Sequence, residues 1–588
     1  MANSLFRTKK IENILADSAK GGGDEYATGL KRVLNVRDLT FFGIAAIIGA
    51  GSFSSLGSAV FNGGPGVVVL FIITGIACGF TALCYSEFAS RIPVAGSAYT
   101  YAYASFGELF AWIIGWALIM EYSIGNIYVA FSWSDYFVSF LDKFGSSVGL
   151  NLHIPEYFSN SYAEVKHAID GGTSSEEILR AWNNAPIIAG IKMIVDIPAL
   201  IINILITYLV YRGVKESRNF SNVMVILKLI VVGVVILVGG YLVFSKGLTF
   251  NWTPANDQGV HSFMPNGFGG VMTAVAGVFF AYIGFDAVSV LAEESKNPQR
   301  DLPKGMILSL VICTVVYILL SLVLAGAVNY RKFEGVGDPL AFIFEKDNLN
   351  IGWMQFLVSV CAVIAMTSVL LVFQMGQPRI WMSMSRDGLL PGVFQKIHPK
   401  FKTPSFATIL TGIVVGAPIL FTDKTFVLDF TSIATLFAFV LVCGGVLLIP
   451  QKEKTPGRFT MPYINGKYIF PLLVAGVLLI LGLFVKGYYA DLFHFDFSHN
   501  ADYVSGKLSF LDVATPQLSI IIFWMITLFL SVLAFLRNYS VIPLMGLTTC
   551  LYLLTGMTKN NWAWFFGWMI IGLVIYFLYG YKQSKLAK

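Results

Sequence analysis

The sequence predicts an all-α integral membrane protein with about fourteen transmembrane helices, and three observations carry that prediction. Of the 588 residues, 56% are hydrophobic and only 13% charged, with a mean hydropathy of +0.71, whereas soluble domains carry roughly a quarter charged residues. Apolar segments of about 20 residues recur along nearly the whole length, each long enough to cross a hydrocarbon core of about 30 Å as a helix. These runs are continuous and rich in Leu, Ile and Val, without the ten-residue alternation of a barrel strand.

Windows of about 19 residues place spans 1 to 7 near 38–61, 65–89, 108–140, 186–210, 219–245, 267–291 and 304–328. Spans 8 to 14 follow near 353–382, 404–422, 427–450, 468–490, 516–536, 540–557 and 561–580. Residues 1–37 form a polar N-terminal segment and 581–588 a short tail. The first 37 residues have no apolar h-region, so no cleavable signal peptide is expected. The largest polar insert, 141–185, lies between spans 3 and 4. In it Ser174 and Glu177 precede Ile178, Leu179 and Trp182, a capping-box pattern that predicts a short surface helix.

Cytoplasmic loops carry the excess of Lys and Arg. Lys9, Lys10, Lys31, Arg32 and Arg37 precede span 1. On the same side fall Arg212, Lys215 and Arg218, then Lys296, Arg300 and Lys304, then Arg386, Lys396, Lys400 and Lys402. Lys452, Lys454, Arg458 and Lys467, then Arg537, then Lys582, Lys585 and Lys588 complete this set, while the opposite loop 491–512 holds Asp491, Asp496, Asp502 and Asp512 against Lys507. Both termini are therefore expected in the cytoplasm. The net charge of +6 is accounted for by this rim, which faces anionic lipid and gives no reason to invoke nucleic acid. All six cysteines lie inside spans, which argues against a disulfide framework.

Ionisable groups at membrane depth are costly and mark functional sites by default. Lys228 interrupts an apolar run about 13 Å along span 5, and must pair, lose its proton or snorkel to the interface. Glu121 lies well inside span 3 and must face protein or water, either in a substrate pocket or in a structural pairing. Lys192 and Asp196, four apart near the outer end of span 4, read as a helix-face ion pair, as do Glu87 and Arg91 at the inner end of span 2. Lys486, near the outer end of span 11, fits snorkelling.

Glycines mark spans 1 and 6, which read Gly43 to Phe53 with Gly49, Ala50 and Gly51 at the centre, and Phe279 to Asp286 with Gly284. Such glycines serve close packing or an unwound segment, and two interrupted spans in corresponding halves point to an inverted-repeat transporter with its site at the midplane. Freed N–H groups at a break favour a carboxylate, and freed carbonyls accept hydrogen bonds from an ammonium, so the pair suits an amino acid zwitterion. Enzyme signatures are missing: there is no His-Glu-x-x-His, no clustered His/Cys pattern that would hold a metal, and the six histidines fall in loops. Neither catalysis nor a cofactor is expected.

Several segments together resemble the amino acid, polyamine and organocation superfamily, and within it the cationic amino acid transporter family. They are Ile47 to Gly51, Cys84 to Tyr101, Arg212 to Ser217, Phe279 to Asp286, Glu293 to Pro303, Met375 to Arg379 and Ser385 to Pro391, in family order over 30–450. The resemblance implies a five-plus-five inverted-repeat core. The first repeat would be 38–245, the second 267–450, and 468–580 would add four helices. It implies that the backbone of Gly49, Ala50 and Gly51 binds the substrate carboxylate and that carbonyls of Ile47, Phe280, Ala281 and Ile283 bind its amino group, with the Phe280 ring as a gate. It implies further that Lys228 serves proton coupling and that Phe373 closes the side-chain pocket, favouring small neutral substrates, with Glu121 leaving room for cationic ones. Ser52 departs from the isoleucine usual in the span 1 motif, and the tail after 450 and the long outer insert depart from the bacterial pattern. The expected function is secondary active, proton-coupled symport of an L-amino acid across the plasma membrane. The alternatives are a proton-independent facilitator or exchanger of cationic amino acids, and an amino acid sensor.

Overall fold

The computed structural model describes all residues except 1–4, 6, 13, 15–33, 95–96, 173–174, 189, 213–217, 257–258, 402, 450–457, 486, 496–508 and 587–588. Ser174, Lys486, Asp496, Asp502 and Lys507, and Lys31, Arg32, Lys215, Lys402, Lys452, Lys454 and Lys588 of the basic rim, all singled out above, lie outside the described residues. Among those described, nine helical stretches are long and apolar enough to cross a membrane, and three shorter apolar helices, Ile197–Arg212, Ser405–Ile419 and Val541–Leu554, accompany them. This is a helical membrane protein. Its only regular β-structure among the described residues is a two-residue hairpin pairing Ile187–Ile188 with Ile191–Lys192.

Most predicted spans become helices with shifted ends. Span 3 is Glu108–Val148, span 5 Arg218–Ser245, span 7 Pro298–Ala327, span 8 Gly352–Arg386 and span 10 Lys424–Leu448. Span 4 is a correction: the apolar run from 186 opens with the hairpin, and the helix starts only at Ile197. The reason is local. Asp196 accepts from the Ala199 N–H at 2.9 Å and so starts the helix there. The expected Lys192–Asp196 ion pair is also corrected. Asp196 is buried and bonded by the Ser134 hydroxyl at 2.6 Å, while Lys192 donates to the Trp182 carbonyl and lies 4.1 Å over that ring. Glu87 and Arg91 do form their ion pair, at 2.6 Å.

The insert folds as two short helices, Tyr162–Asp170 and Glu176–Asn184, closed on each other by Val165, Ala181, Ala185 and Ile194. The second is capped by Ser175, whose hydroxyl accepts from Ile178 N–H. All six cysteines are free and buried.

Span 3 is the axis of the molecule. Its best apolar window is 94% buried, against 11% for span 11, Gly466–Phe484, at the periphery. Spans 8 and 10 pack along it, span 7 packs on spans 1 and 2, and spans 11 and 12 pair with each other. Span 14, Lys559–Ile575, is pinned to span 3 by tryptophans. Trp112 donates to the Gly572 carbonyl at 2.9 Å, Trp116 to the Trp568 carbonyl at 2.9 Å and Trp568 back to the Trp116 carbonyl at 3.1 Å, with the Trp116 and Trp568 rings stacked at 4.7 Å.

One face carries both chain ends. There Glu108 accepts hydrogen bonds from Tyr103, Tyr576 and Ser584, and Asp387 accepts from Lys9 at 3.1 Å and Tyr99 at 2.7 Å. The backbone of Lys585 donates to the Asp387 carbonyl at 3.0 Å, and that of Lys9 to the Tyr103 carbonyl at 3.2 Å. N-terminal segment, C-terminal tail and the ends of spans 3 and 8 thus meet in one polar knot.

A methyl group at Gly572 would stand 2.4 Å from Cδ1 of the Trp116 indole, a ring locked by its hydrogen bond and stack. Gly572→Ala should therefore cost about 1–3 kcal/mol, read as a melting temperature lowered by a few degrees. A melting curve that matches the parent would show that span 14 is not fastened through this contact.

Candidate functional site

Spans 1 and 6 are both broken at the glycine segments. In span 1 the helix Val36–Ile47 ends at Ile48, whose φ/ψ of −78/91 is extended, and the chain resumes as a π-turn, Gly51–Ser55, and the helix Leu56–Gly63. The second half opens with Ser52 and Phe53 N–H bonded to the Gly49 carbonyl at 3.1 and 3.0 Å. The N–H groups of Ala50 and Gly51 stand ahead of these bonds, in the first-turn position that a helix cannot satisfy by itself. In span 6, Val275–Phe280 gives way to turns at 281–285 and then a 3₁₀ segment, Asp286–Glu294.

The two breaks cross at a glycine. Gly284 has φ +119, and a Cβ there would stand 2.9 Å from Ala46 Cβ and 3.0 Å from its carbonyl carbon. Only glycine tolerates both the backbone and the approach. Span 7 then ties the breaks together: the Tyr317 hydroxyl lies 2.8 Å from the Ile47 carbonyl oxygen and 2.7 Å from that of Ala281. The Phe280 carbonyl accepts from Ile283 N–H at 3.1 Å. Each of these three carbonyls has a second lone pair in reserve.

Lys228 is 1% exposed and reaches inward rather than to the interface. Its ammonium donates to Ser368 Oγ of span 8 at 2.7 Å and lies 3.4 Å from the Ala45 and Ile48 carbonyls, at the frayed end of the first half of span 1. One cation therefore holds spans 1, 5 and 8 together.

The flanking side chains divide between the breaks and their surroundings. A Cβ on Gly49 would meet Val369 Cγ2 at 2.4 Å and one on Gly51 would meet Ala281 Cα at 2.5 Å, so both glycines are closed upon in this conformation. Val369 is thus the span 8 side chain against the span 1 break. Phe373, one turn on, packs on Tyr122 with ring centroids 5.5 Å apart and beside Gly125. Glu121 is 4% exposed, near Asp286 of span 6 and Thr435 of span 10, and its Oε2 has no hydrogen-bond partner among the described residues.

On the side away from the chain ends, Phe280 packs edge-on against Tyr128 at 4.6 Å, and Tyr136 donates to the Phe53 carbonyl at 2.5 Å. Above them Lys424 pairs with Asp135 and lies 5.6 Å over the Tyr128 ring. Glu164 of the insert lies within electrostatic reach of this pair. Burial first and Asp135 second push its carboxyl up to about 7, against the pull of Lys424.

The sequence singles out the glycines and Lys228, which the fold places at the two breaks and between spans 1 and 8, and it does not single out Tyr317, Val369, Ser368 or the Tyr128–Lys424–Asp135 stack. A tyrosine midway along the apolar run of span 7 was the available signal, because a buried phenol needs a partner.

A family model described as "Amino acid permease" matches residues 34–492, and another described as "C-terminus of AA_permease" matches 538–584. Over its full length the chain is similar to the branched-chain amino acid permease BcaP of Bacillus subtilis, at 35% identity across 100% of both chains. It is 39% identical to a methylthioribose transporter of the same organism over 81% of this chain and 92% of that one. To the vacuolar cationic amino acid transporter 2 of Arabidopsis thaliana it is 30% identical over 99% of this chain and 93% of that one.

Two measurements check this geometry. Gly51→Leu should abolish binding of every amino acid rather than shift selectivity, because the side chain must intrude on the span 6 backbone; isothermal titration of a variant that binds any amino acid normally would remove the break from consideration. A neutral Glu164 favours docking of the insert and its ionisation opposes it, so hydrogen exchange over 162–170, corrected for intrinsic rates, should quicken as pH rises through about 7. Glu164→Gln should flatten that dependence.

Proposed function

The chain belongs to the amino acid permease family, and on that premise we propose that it is a secondary active transporter carrying L-amino acids with small neutral side chains, together with protons, across the plasma membrane. The observation that carries the proposal is Lys228, a buried ammonium shared between the broken end of span 1 and Ser368 of span 8.

A zwitterion is recognised by what every amino acid has in common. Its carboxylate meets the first-turn N–H groups of Ala50 and Gly51, with Gly49 allowing the approach, where the half-helix dipole favours negative charge. Its ammonium meets the spare lone pairs of the Ile47, Phe280, Ala281 and Ile283 carbonyls. Binding requires Val369 and Ala281 to draw back from Gly49 and Gly51, so recognition is coupled to movement of spans 6 and 8 against span 1. Protonated Lys228 braces spans 1 and 8 in one access state, and loss of the proton frees them for the other. The Phe280–Tyr128 contact with Lys424–Asp135 closes the outer route, and the knot at the chain ends closes the cytoplasmic one. In this reading 38–245 and 267–450 are the two inverted repeats, 468–580 the four added helices, and both termini are cytoplasmic by the placement of Lys and Arg.

A second reading, exchange or facilitated passage of cationic amino acids, is favoured by the Oε2 of Glu121, which has no hydrogen-bond partner among the described residues and which a cationic side chain would complete. The names of the relatives divide between branched-chain and cationic amino acids and a thio-sugar, and so leave the side chain to experiment.

In proteoliposomes, Lys228→Ala should retain substrate binding but lose accumulation driven by an inward proton gradient, and a protonophore should depress uptake by the parent protein. Gradient-driven uptake at the parent rate in Lys228→Ala would overturn proton coupling through this residue. Alanine should be taken up at least about tenfold better than arginine, the discrimination expected for a pocket ill-matched by a few methylenes. Equal uptake of the two would favour the second reading and remove Phe373 as a size filter.

A further inference from the structure

Spans 4 and 9 leave a cleft between them on the lipid-facing side. The two helices approach closely where Gly412 and Gly416 meet Thr207 and Asn203: a Cβ on Gly412 would lie 2.5 Å from Thr207 Cγ2, and one on Gly416 2.7 Å from Asn203 Nδ2. Beside this approach, between Ile204, Tyr208 and Tyr211 of span 4 and Ile409 and Ile413 of span 9, lies a gap with a volume of about 400 Å³, within the range of about 300–1,000 Å³ that holds small ligands. Its walls are apolar, and Ile204 and Ile413 are 63% and 58% exposed, so in a bilayer the cleft opens to hydrocarbon.

The mouth is aromatic and basic. Arg212 donates to the Tyr208 hydroxyl at 3.1 Å and lies 5.8 Å over that ring and 5.2 Å over Phe401, with Lys400 5.7 Å from the centroid of the same Phe401 ring. Thr403 donates to the Tyr211 carbonyl at 2.8 Å, which holds this loop over the end of span 4. Apolar walls that end at an arginine, a lysine and interfacial tyrosines match the two halves of one molecule, an acyl chain and a phosphate.

The floor is wired to the centre of the protein. Thr207 accepts from Gln374 of span 8 at 2.9 Å, and Gln374 accepts from Asn126 of span 3 at 2.8 Å. Whatever fills the cleft presses on a hydrogen-bonded chain that joins spans 4, 8 and 3.

We propose that this cleft is a binding site for an anionic phospholipid, with one acyl chain between spans 4 and 9 and the phosphate at Arg212 and Lys400. The bound lipid fixes span 4 against span 9 and, through Thr207, Gln374 and Asn126, restrains span 8 against span 3. The proposal needs only that the chain lies in a bilayer, and its test reads binding, so it stands or falls apart from proton coupling and substrate choice.

The purified full chain in neutral detergent is titrated with dioleoylphosphatidylglycerol, dioleoylphosphatidylcholine or glycerol 3-phosphate, and thermal unfolding is followed. The phosphatidylglycerol should raise the melting temperature by about 3 °C or more, while the other two should not. Native mass spectrometry should retain one phosphatidylglycerol per chain. The double variant Arg212→Gln/Lys400→Gln should lose the shift, and so should Ile413→Trp, which fills the cleft from the lipid side and leaves both charges in place. All three substitutions are at surface positions, and a baseline melting temperature equal to the parent's shows that the variants fold. Equal shifts with both lipids would mean ordinary boundary lipid and overturn the proposal. A shift with glycerol 3-phosphate alone would overturn it in favour of a free phosphate site. A shift that survives Ile413→Trp would overturn the placement of the acyl chain.

Discussion

A helix broken inside a bilayer exposes carbonyl and N–H groups that no water is there to satisfy, and each orphan costs several kcal/mol. Two such breaks, in spans 1 and 6, govern the rest of this structure. The Tyr317 hydroxyl lies within hydrogen-bond distance of one carbonyl from each, its one proton shared between them. Lys228 covers the end of the first half of span 1, and Ser55 accounts for the next turn, with its hydroxyl 2.7 Å from the Gly51 carbonyl and 3.0 Å from that of Gly277 in span 6. Spans 5 and 7 are therefore held close to the breaks by polar contacts rather than by apolar packing alone, which is weak between helices surrounded by lipid.

That the chain is a helical membrane protein was legible because hydrophobic length is a direct physical requirement of the bilayer, and the breaks were legible because glycine is the residue that permits them. Lys228 stood out by its cost. Span 4 was misread because the strand pair at 187–192 is as apolar as a helix, and hydropathy is blind to the difference. Lys192 and Asp196 sit four apart, a spacing that promises an ion pair only if both lie on one helix. The helix begins after Asp196, so the spacing meant nothing. Val369 and Ser368 were illegible for another reason: their roles depend on which face of span 8 turns toward span 1, and nearly uniform apolar sequence does not encode rotation about the helix axis.

The two faces of the molecule are closed by different chemistry. Away from the chain ends, an aromatic pair is overlaid by a single ion pair, with the Tyr128 ring serving both layers. Nearby, Ser139 and Lys143 of span 3 hold Asp338 of the loop after span 7, at 2.9 and 4.0 Å. On the other face the contacts are more numerous and draw on segments far apart in the chain. A small, layered closure is easily opened by one side chain's rotation, whereas a distributed one opens only when several partners separate together.

That distributed closure has a bearing on how the protein is made. Lys9 is made well before its carboxylate partner Asp387, and the backbone N–H that bonds the Asp387 carbonyl belongs to Lys585, later still. At about 5–20 residues per second, roughly half a minute to two minutes separate synthesis of the first partner from the last. Throughout that time Glu108, buried in the finished protein, has Tyr103 but lacks Tyr576 and Ser584. A chain stalled before span 14 would hold that carboxylate through Tyr103 without its two later hydroxyl partners, so this closure is finished only once span 14 and the segment after it are in place.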